Sequence, residues 1–209
     1  MELVVGSHVS FNSKTQLVGS VREAISYGAN TFMIYTGSAQ STLRAGLDES
    51  LTYEGYKLMV DSGISPKNVI IHAPYILNFA NRIDEEKTKF NVDFFVNELN
   101  RVKELGFSKI VLHPGSAVNC SREEGIKNII LGLNEVIGKT SDVIILLEYM
   151  AGKGNEIGVN IGELKSMYSG IIDKNRVGFC LDTCHMNDSG IDISEFDSFL
   201  DEFDHEIGL

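Results

Sequence analysis

The sequence has 209 residues, of which 43% are apolar and 22% are charged. This is the composition of an ordinary globular protein, and the chain is long enough to bury a substantial core. The 29 acidic and 18 basic residues give a formal charge of −11, which argues against nucleic-acid binding through a basic surface. A nucleic-acid substrate is still compatible with that charge, because bound metal cations reverse its sign locally.

Six short apolar runs predict buried β-strands, and each is followed by a segment in which apolar residues recur with helical spacing. The predicted strands cover residues 2–8, 31–35, 68–75, 109–115, 143–149 and 177–183. The predicted helices cover residues 15–29, 49–62, 94–107, 122–138, 161–170 and 194–206. Gly28 and Gly106 stand where helix C-caps are expected. Runs that are apolar throughout suit strands covered on both faces, and the alternation of strand and helix predicts a parallel sheet.

The polar residues at the strand ends decide between an open sheet and a (β/α)₈ barrel. His8, His72, His113, Glu148 and Asp182 all stand at the carboxyl ends of predicted strands. In a barrel those ends converge on one mouth, whereas an open sheet gathers them only at a switch point. The pattern therefore favours a TIM barrel, of which about six βα units are present. A typical barrel needs about 250 residues, so the chain is expected to stop before closure.

Imidazoles and carboxylates at these positions predict a metal site. The candidate ligands are His72, His113, Glu148, Asp182 and His185. Each of them alone would be read as a packed or capping residue. Together, with few Lys or Arg nearby, they would be costly to gather without a cation. Neutral imidazole and carboxylate are the usual ligands of zinc and related divalent ions.

The remaining histidines, two cysteines and one Gly-rich segment are expected to have structural roles. His8 is expected to pack or to support the site, and His205 to lie on a solvated helix surface. Cys180 and Cys184 lack a C-x-x-C partner and are expected to be small buried apolar residues. The Gly-rich segment 151–158 lacks the phosphate-loop pattern and is interpreted as a tight loop after a strand.

Two long motifs resemble signatures of the endonuclease IV family, which comprises zinc-dependent apurinic/apyrimidinic endonucleases of base-excision repair. They are HAPYILNFA at 72–80 and VGFCLDTCH at 177–185. GSHVS, YTGSAQS, LHPGS and LLEYMAGKG follow the same family order, so the resemblance spans the whole chain. It implies a TIM barrel and hydrolysis of the phosphodiester 5′ to abasic sites by a centre of three zinc ions.

The resemblance also implies a role for each ligand. His72 and His113 would bind the first zinc, and Glu148 would bridge the first and second as the catalytic carboxylate. Asp182 would bind the second zinc and His185 the third.

The same resemblance implies the DNA contacts. Tyr75 would lie in a DNA-facing loop, and Gln40 would occupy the matching place in the loop after the second strand, where some relatives carry Arg.

Two departures from the family pattern accompany this resemblance. LEYMAG replaces the more usual L-E-N-T-A-G, which keeps Glu148 but alters the hydrogen bonding expected around it. The third family motif, which supplies two His, an Asp and a Glu, is expected just beyond Leu209. The chain is therefore expected to be a single, C-terminally truncated domain over residues 1–209 that holds fewer than three zinc ions.

The expected partner is double-stranded DNA containing abasic sites, the expected location is the cytoplasm, and the full-length protein is expected to be a monomer. Three cysteines, no signal-peptide pattern and no apolar run of about 20 residues support that location. Two alternatives stay open. One is a metal-dependent sugar isomerase or epimerase on the same barrel, and the other is an inactive metal-binding fragment.

Overall fold

The computed structural model describes residues 3–82 and 84–208. The strands are β1 (Gly6–His8), β2 (Thr31–Ile34), β3 (Ile70–His72), β4 (Lys109–Leu112), β5 (Ile144–Glu148) and β6 (Val177–Cys180). The helices are α1 (Gln16–Ser26), α2 (Glu49–Asp61), α3 (Glu85–Glu104), α4 (Arg122–Lys139), α5 (Ile161–Ser169), α6 (Thr183–Asp188) and α7 (Phe196–Glu206). The six strands belong to one sheet in the order β1-β2-β3-β4-β5-β6, which confirms the predicted α/β alternation.

The chain forms two compact units, which are described separately. Unit 1 comprises Met1–Ile76 and Asn97–Ile110, and unit 2 comprises Leu77–Val96 and Val111–Leu209.

In unit 1, β1 pairs in parallel with β2, and β2 pairs in parallel with β3. Helix α1 buries Leu17, Val21 and Ala24 on its apolar face. Helix α2 approaches α1 closely at Gly55, where a Cβ atom would lie 2.6 Å from Cγ of Leu17. A larger residue at that position would therefore force the two helices apart.

In unit 2, β5 and β6 pair in parallel from Ile145↔Val177 to Glu148↔Cys180. Helix α4 begins with a capping box, in which Ser121 and Glu124 each accept a hydrogen bond from the other's backbone N–H. Fully or nearly fully buried side chains of this unit include Ile129, Leu133, Ile145, Leu147, Leu164, Phe199 and Phe203.

The predicted helix ends at the two glycines are confirmed. Gly28 has φ of 68° and Gly106 has φ of 74°, two residues after the last residues of α1 and α3. Only glycine adopts this left-handed conformation without steric cost, and there it stops the helix.

The prediction of a strand covered on both faces over residues 2–8 is wrong for residues 3–8, and Glu2 lies outside the described residues. All three residues of β1 are exposed, and so are the side chains of Leu3, Val4 and Val5 before it. The reason is position. Among the described residues, β1 stands at one end of the strand order and has β2 as its one strand neighbour.

Two helices also differ from the prediction. Helix α3 begins at Glu85, nine residues before the predicted start at 94, because its first turns are polar and carry no apolar period. Strand β6 ends at Cys180 and α6 begins at Thr183, inside the predicted strand 177–183.

No helix in the described part of the chain combines the length and apolarity needed to cross a bilayer.

Candidate metal centre

Four of the predicted ligands lie in unit 2, and the local folding of each element explains its place. His113 follows β4 directly and Glu148 is the last residue of β5. Asp182 is the N-cap of α6, and its Oδ1 accepts a hydrogen bond from the backbone N–H of His185 at 2.9 Å. An aspartate at an N-cap bonds the third residue of its helix, so the cap itself sets the carboxylate beside the imidazole.

Glu148 is the centre of the unit 2 cluster. Its carboxylate is buried, and its Oε2 lies 3.0 Å from Nε2 of His113. Its other oxygen, Oε1, lies 3.1 Å from Nδ1 of His185. Asp182 adds a second carboxylate, with Oδ2 3.9 Å from the same Nδ1. One buried carboxylate therefore faces two imidazoles, each through a different oxygen.

This donor set fits a divalent metal. Ligand atoms of Glu148, Asp182 and His185 all lie within 4.8 Å of one another. Tetrahedral zinc, with bonds of about 2.0–2.1 Å, separates its ligand atoms by roughly 3.3 Å, close to the distances of 3.0, 3.1 and 3.9 Å in the cluster. Carboxylate and imidazole together also match the ligand preference of zinc-like ions.

Cys180 lies next to this cluster without belonging to it. Burial first, and then the charges of Glu148 and Asp182, raise the pKa of the Cys180 thiol to about 12. In the absence of a bound cation the thiol therefore stays protonated at neutral pH. The expectation of burial is wrong for Cys184, which is exposed on the first turn of α6, and Cys180 is only half-buried.

Unit 1 carries the other predicted site residues. His72 is buried at the end of β3, and its Nδ1 lies 2.7 Å from the carbonyl oxygen of Ala73. Tyr75 is 52% exposed, and its ring centroid lies 5.5 Å from that of Tyr35. Gln40 is exposed in the loop after β2.

The two remaining histidines are both exposed. His8 is exposed on β1, and its ring centroid lies 4.5 Å from that of Tyr35. His205 is exposed on α7, with 84% of its side chain accessible, as predicted.

Two supporting residues were not predicted. Glu163 accepts hydrogen bonds from the backbone N–H groups of Gly158 and Val159 at 2.8 and 3.2 Å, and so closes the Gly-rich segment after β5. The pairing of Asn160 with Glu163 three residues later is a helix-start pattern that marks it in the sequence. Asn78 bonds the backbone of Ser116, 38 residues away, so no local pattern could reveal it.

Comparison with known proteins places this arrangement in a family. A family model described as a xylose isomerase-like TIM barrel matches residues 21–209. The chain is 47% identical over 209 residues to the probable endonuclease 4 of Shouchella clausii, a match covering 100% of this chain and 71% of that protein. It is 46% identical over 210 residues to the probable endonuclease 4 of Acholeplasma laidlawii, covering 99% and 71%.

Among solved structures, endonuclease IV from Thermus thermophilus superposes with a TM-score of 0.78 at 27% identity, covering 98% of this chain and 73% of that one. A D-tagatose 3-epimerase-like protein superposes with a TM-score of 0.65 at 21% identity, covering 88% and 67%. That second likeness shows a shared fold.

The parallel sheet and the ligands at its strand ends define a TIM-barrel protein with a candidate metal centre. The chain belongs to the xylose isomerase-like TIM barrel family and, within it, to the endonuclease IV family. Both the predicted family and the predicted fold class are confirmed. The chain spans about 71% of the length of its relatives in Shouchella clausii and Acholeplasma laidlawii.

Proposed function

We propose that this protein is a zinc-dependent endonuclease that hydrolyses the phosphodiester 5′ to abasic sites in double-stranded DNA. Its family makes it a DNA-cleaving hydrolase of DNA repair. The observation that carries the finer proposal is Glu148, a buried carboxylate that faces His113 through one oxygen and His185 through the other. A carboxylate shared in this way is suited to bridge two metal ions.

The ligand assignment follows the cluster in unit 2 and the motif resemblance. The distances place His113 beside Glu148, and His185 beside both Glu148 and Asp182. The motif resemblance supplies the division among the metals of a complete site: His113 on the first, Glu148 shared by the first and second, Asp182 on the second and His185 on the third. The resemblance of the segment around His72 to the family motif adds that imidazole to the first metal. Zinc is the metal proposed, because imidazole and carboxylate together suit it better than they suit magnesium or calcium.

Backbone carbonyls orient two of the proposed imidazoles. Nδ1 of His72 lies 2.7 Å from the Ala73 oxygen, and Nδ1 of His185 lies 3.1 Å from the Tyr149 oxygen. A ring whose Nδ1–H donates to a carbonyl presents Nε2 as the ligand atom. His72 would present Nε2 in this arrangement, whereas Nδ1 of His185 lies at the same 3.1 Å from Oε1 of Glu148 and is the atom that faces the candidate centre.

The bound metals would supply hydroxide near neutral pH and stabilise the negative charge that develops on the phosphate. The chain's own side chains hold and orient those ions, and Tyr75 and Gln40 would contact the DNA. Extrusion of the lesion costs least where no base pair must be broken, which gives selectivity for abasic sites. We further propose that the protein acts as a monomer in the cytoplasm.

The test is cleavage of a labelled duplex that carries one tetrahydrofuran abasic analogue, beside an undamaged duplex of the same sequence. We expect one incision on the 5′ side of the analogue, which leaves a 3′-hydroxyl end. Glu148→Gln should reduce zinc affinity by at least about tenfold and reduce cleavage with it, because loss of an outer partner alone costs about 10–100-fold. Glu135→Gln, which breaks an exposed ion pair with Lys139, is the matched control.

Each other outcome has a defined meaning. Equal cleavage of both duplexes would contradict abasic-site selectivity. Epimerisation of a ketohexose without DNA cleavage would favour the sugar isomerase alternative. Zinc binding without either activity would identify a metal-binding chain with no catalysis.

A further inference from the structure

Unit 1 contains a buried group of charged residues outside the candidate metal centre. Glu98, on α3, is fully buried. Its Oε1 accepts a hydrogen bond from Nε of Arg44 at 2.7 Å, and its Oε2 accepts one from Oγ1 of Thr36 at 2.8 Å. The side chain of its partner Arg44 is only 9% exposed. Removing two charges from water is costly, and an apolar pair often stabilises a fold equally well, so this pair calls for a reason beyond stability.

The partners of these charges lie in one irregular segment, residues 35–48 between β2 and α2, which we term the β2–α2 loop. Nη1 of Arg44 donates to the carbonyl oxygens of Ser41 and Leu43 at 2.7 and 3.0 Å. Each of these bonds fixes the loop backbone beside the buried Glu98. Arg44 is itself a residue of the loop, so the loop backbone is fixed by one of its own side chains.

A second arginine of α3 binds the same loop at two points. Nη2 of Arg101 donates to the carbonyl oxygen of Thr36, and Nη1 donates to that of Ala45, both at 3.0 Å. The two carbonyls lie nine residues apart along the loop. Helix α3 therefore fixes the loop near its beginning and near its end as well as in its middle.

The tip of the loop carries the side chains that face solvent. Gln40 is exposed, and Leu43 has 83% of its surface exposed. The carbonyl oxygen of Ala39 accepts a hydrogen bond from the backbone N–H of Tyr75 at 3.0 Å. An ordered loop therefore also fixes the backbone of Tyr75, whose aromatic ring is exposed.

We propose that Glu98 is a positioning residue for DNA recognition, which preorganises the β2–α2 loop and Tyr75 through its buried contacts with Arg44 and Thr36. This proposal rests on the proposed function, because it takes the abasic duplex as the ligand of the loop. Its physical basis is that a loop already fixed in the bound conformation loses less conformational entropy when the ligand binds. Glu98 touches neither the DNA nor the metals, so its effect belongs to affinity and loop order.

The experiment compares Glu98→Gln and Arg44→Lys with the wild type by amide hydrogen exchange and by titration of the abasic duplex. Glu98→Gln keeps the shape of the side chain but removes its charge. Arg44→Lys keeps the charge but removes Nη1, the nitrogen that donates to two carbonyls. We expect amides of residues 36–48 to exchange at least about tenfold faster, because local opening becomes easier. We expect Kd for the abasic duplex to rise about five- to tenfold, while bound zinc stays unchanged.

The matched control is Glu54→Gln, which breaks an exposed ion pair between Glu54 and Arg22 in the same unit. It should change neither loop exchange nor affinity. Unchanged loop exchange and unchanged Kd in both test variants would overturn the proposal, and so would weaker DNA binding with zinc lost in parallel. If Glu98→Gln no longer unfolds cooperatively, Arg44→Lys alone decides between these outcomes.

A different result would contradict the proposed endonuclease function. In that case the wild type itself shows no preference for the abasic duplex over the undamaged one. If the wild type prefers the abasic duplex and the test variants bind it equally well, only the positioning role of Glu98 is contradicted.

Discussion

Tyr75 packs against two neighbouring rings and remains half-exposed. Its ring centroid lies 5.5 Å from that of Tyr35 and 5.8 Å from that of His72, and about half of the residue is exposed. A ring held in this way can stack on a nucleotide with little further loss of conformational entropy. We predict that Tyr75→Ala weakens abasic-duplex binding by about 1–3 kcal/mol, the value of one aromatic–base contact.

Fluorescence anisotropy with a labelled duplex measures this loss, and elemental analysis checks that bound metal is unchanged. Tyr53→Ala is the matched control, because Tyr53 is an exposed tyrosine on α2 of the same unit. Equal affinities of the wild type and Tyr75→Ala would remove this ring from the DNA contact.

Individual residues of the candidate centre could be predicted where a strand directly precedes them. His113, Glu148 and Asp182 each follow an apolar run, and the convergence of parallel strand ends brings such residues together. Glu98 could not be predicted, because its partners Arg44 and Thr36 lie 54 and 62 residues away. In sequence it looks like any glutamate of a helix with exposed charges.

At the scale of elements, the segment after β4 is fixed by a side chain from another part of unit 2. Oδ1 of Asn78 accepts a hydrogen bond from the backbone N–H of Ser116, and Nδ2 donates to the carbonyl oxygen of the same residue, both at 3.0 Å. His113 begins that segment. We predict that Asn78→Ala reduces zinc affinity by about 10–100-fold, which is typical for loss of a group that supports a ligand.

Competition with a zinc chelator measures that change. Asn134→Ala is the control, because Asn134 makes the same two-way bridge to the turn after α5, through Gly170 and Ile172. Both variants should lose stability, but only Asn78→Ala should lose zinc affinity. Equal losses of zinc affinity in the two would indicate general loosening of the unit.

The bounds of a helix or strand could be predicted where its pattern of apolar residues extends to its first and last residues. The apolar runs located all six strands, each inside its predicted range. For β2 to β6 the reason is that covered parallel strands are apolar along their length, whereas β1 is exposed. The polar first turns of α3 and the short helix α6 were not predicted, because neither shows an apolar stripe. Asp182 was predicted as a ligand candidate, and the capping role considered for it alone is also present, because it is the N-cap of α6.

At the scale of the whole molecule, the formal charge of −11 and the candidate centre bear on the same question. An acidic protein repels the DNA backbone over most of its surface. The cluster in unit 2 adds two carboxylates, one of them buried, at the proposed binding mouth. Bound divalent ions would reverse the local charge there, so metal binding and DNA binding should rise and fall together.

The same coupling predicts a large thermal response to zinc. A metal that binds only the folded state stabilises it by about 2.7 kcal/mol at a free concentration 100 times its Kd. For a chain of 209 residues, each kcal/mol raises Tm by about 2–4 °C, so we predict a rise of roughly 5–11 °C in differential scanning calorimetry. Magnesium at the same concentration should give a smaller rise, because it prefers octahedral oxygen ligands. Glu148→Gln should lose most of the zinc response while Glu135→Gln keeps it, and an equal response in the two variants would mean that zinc stabilises the protein at some other site.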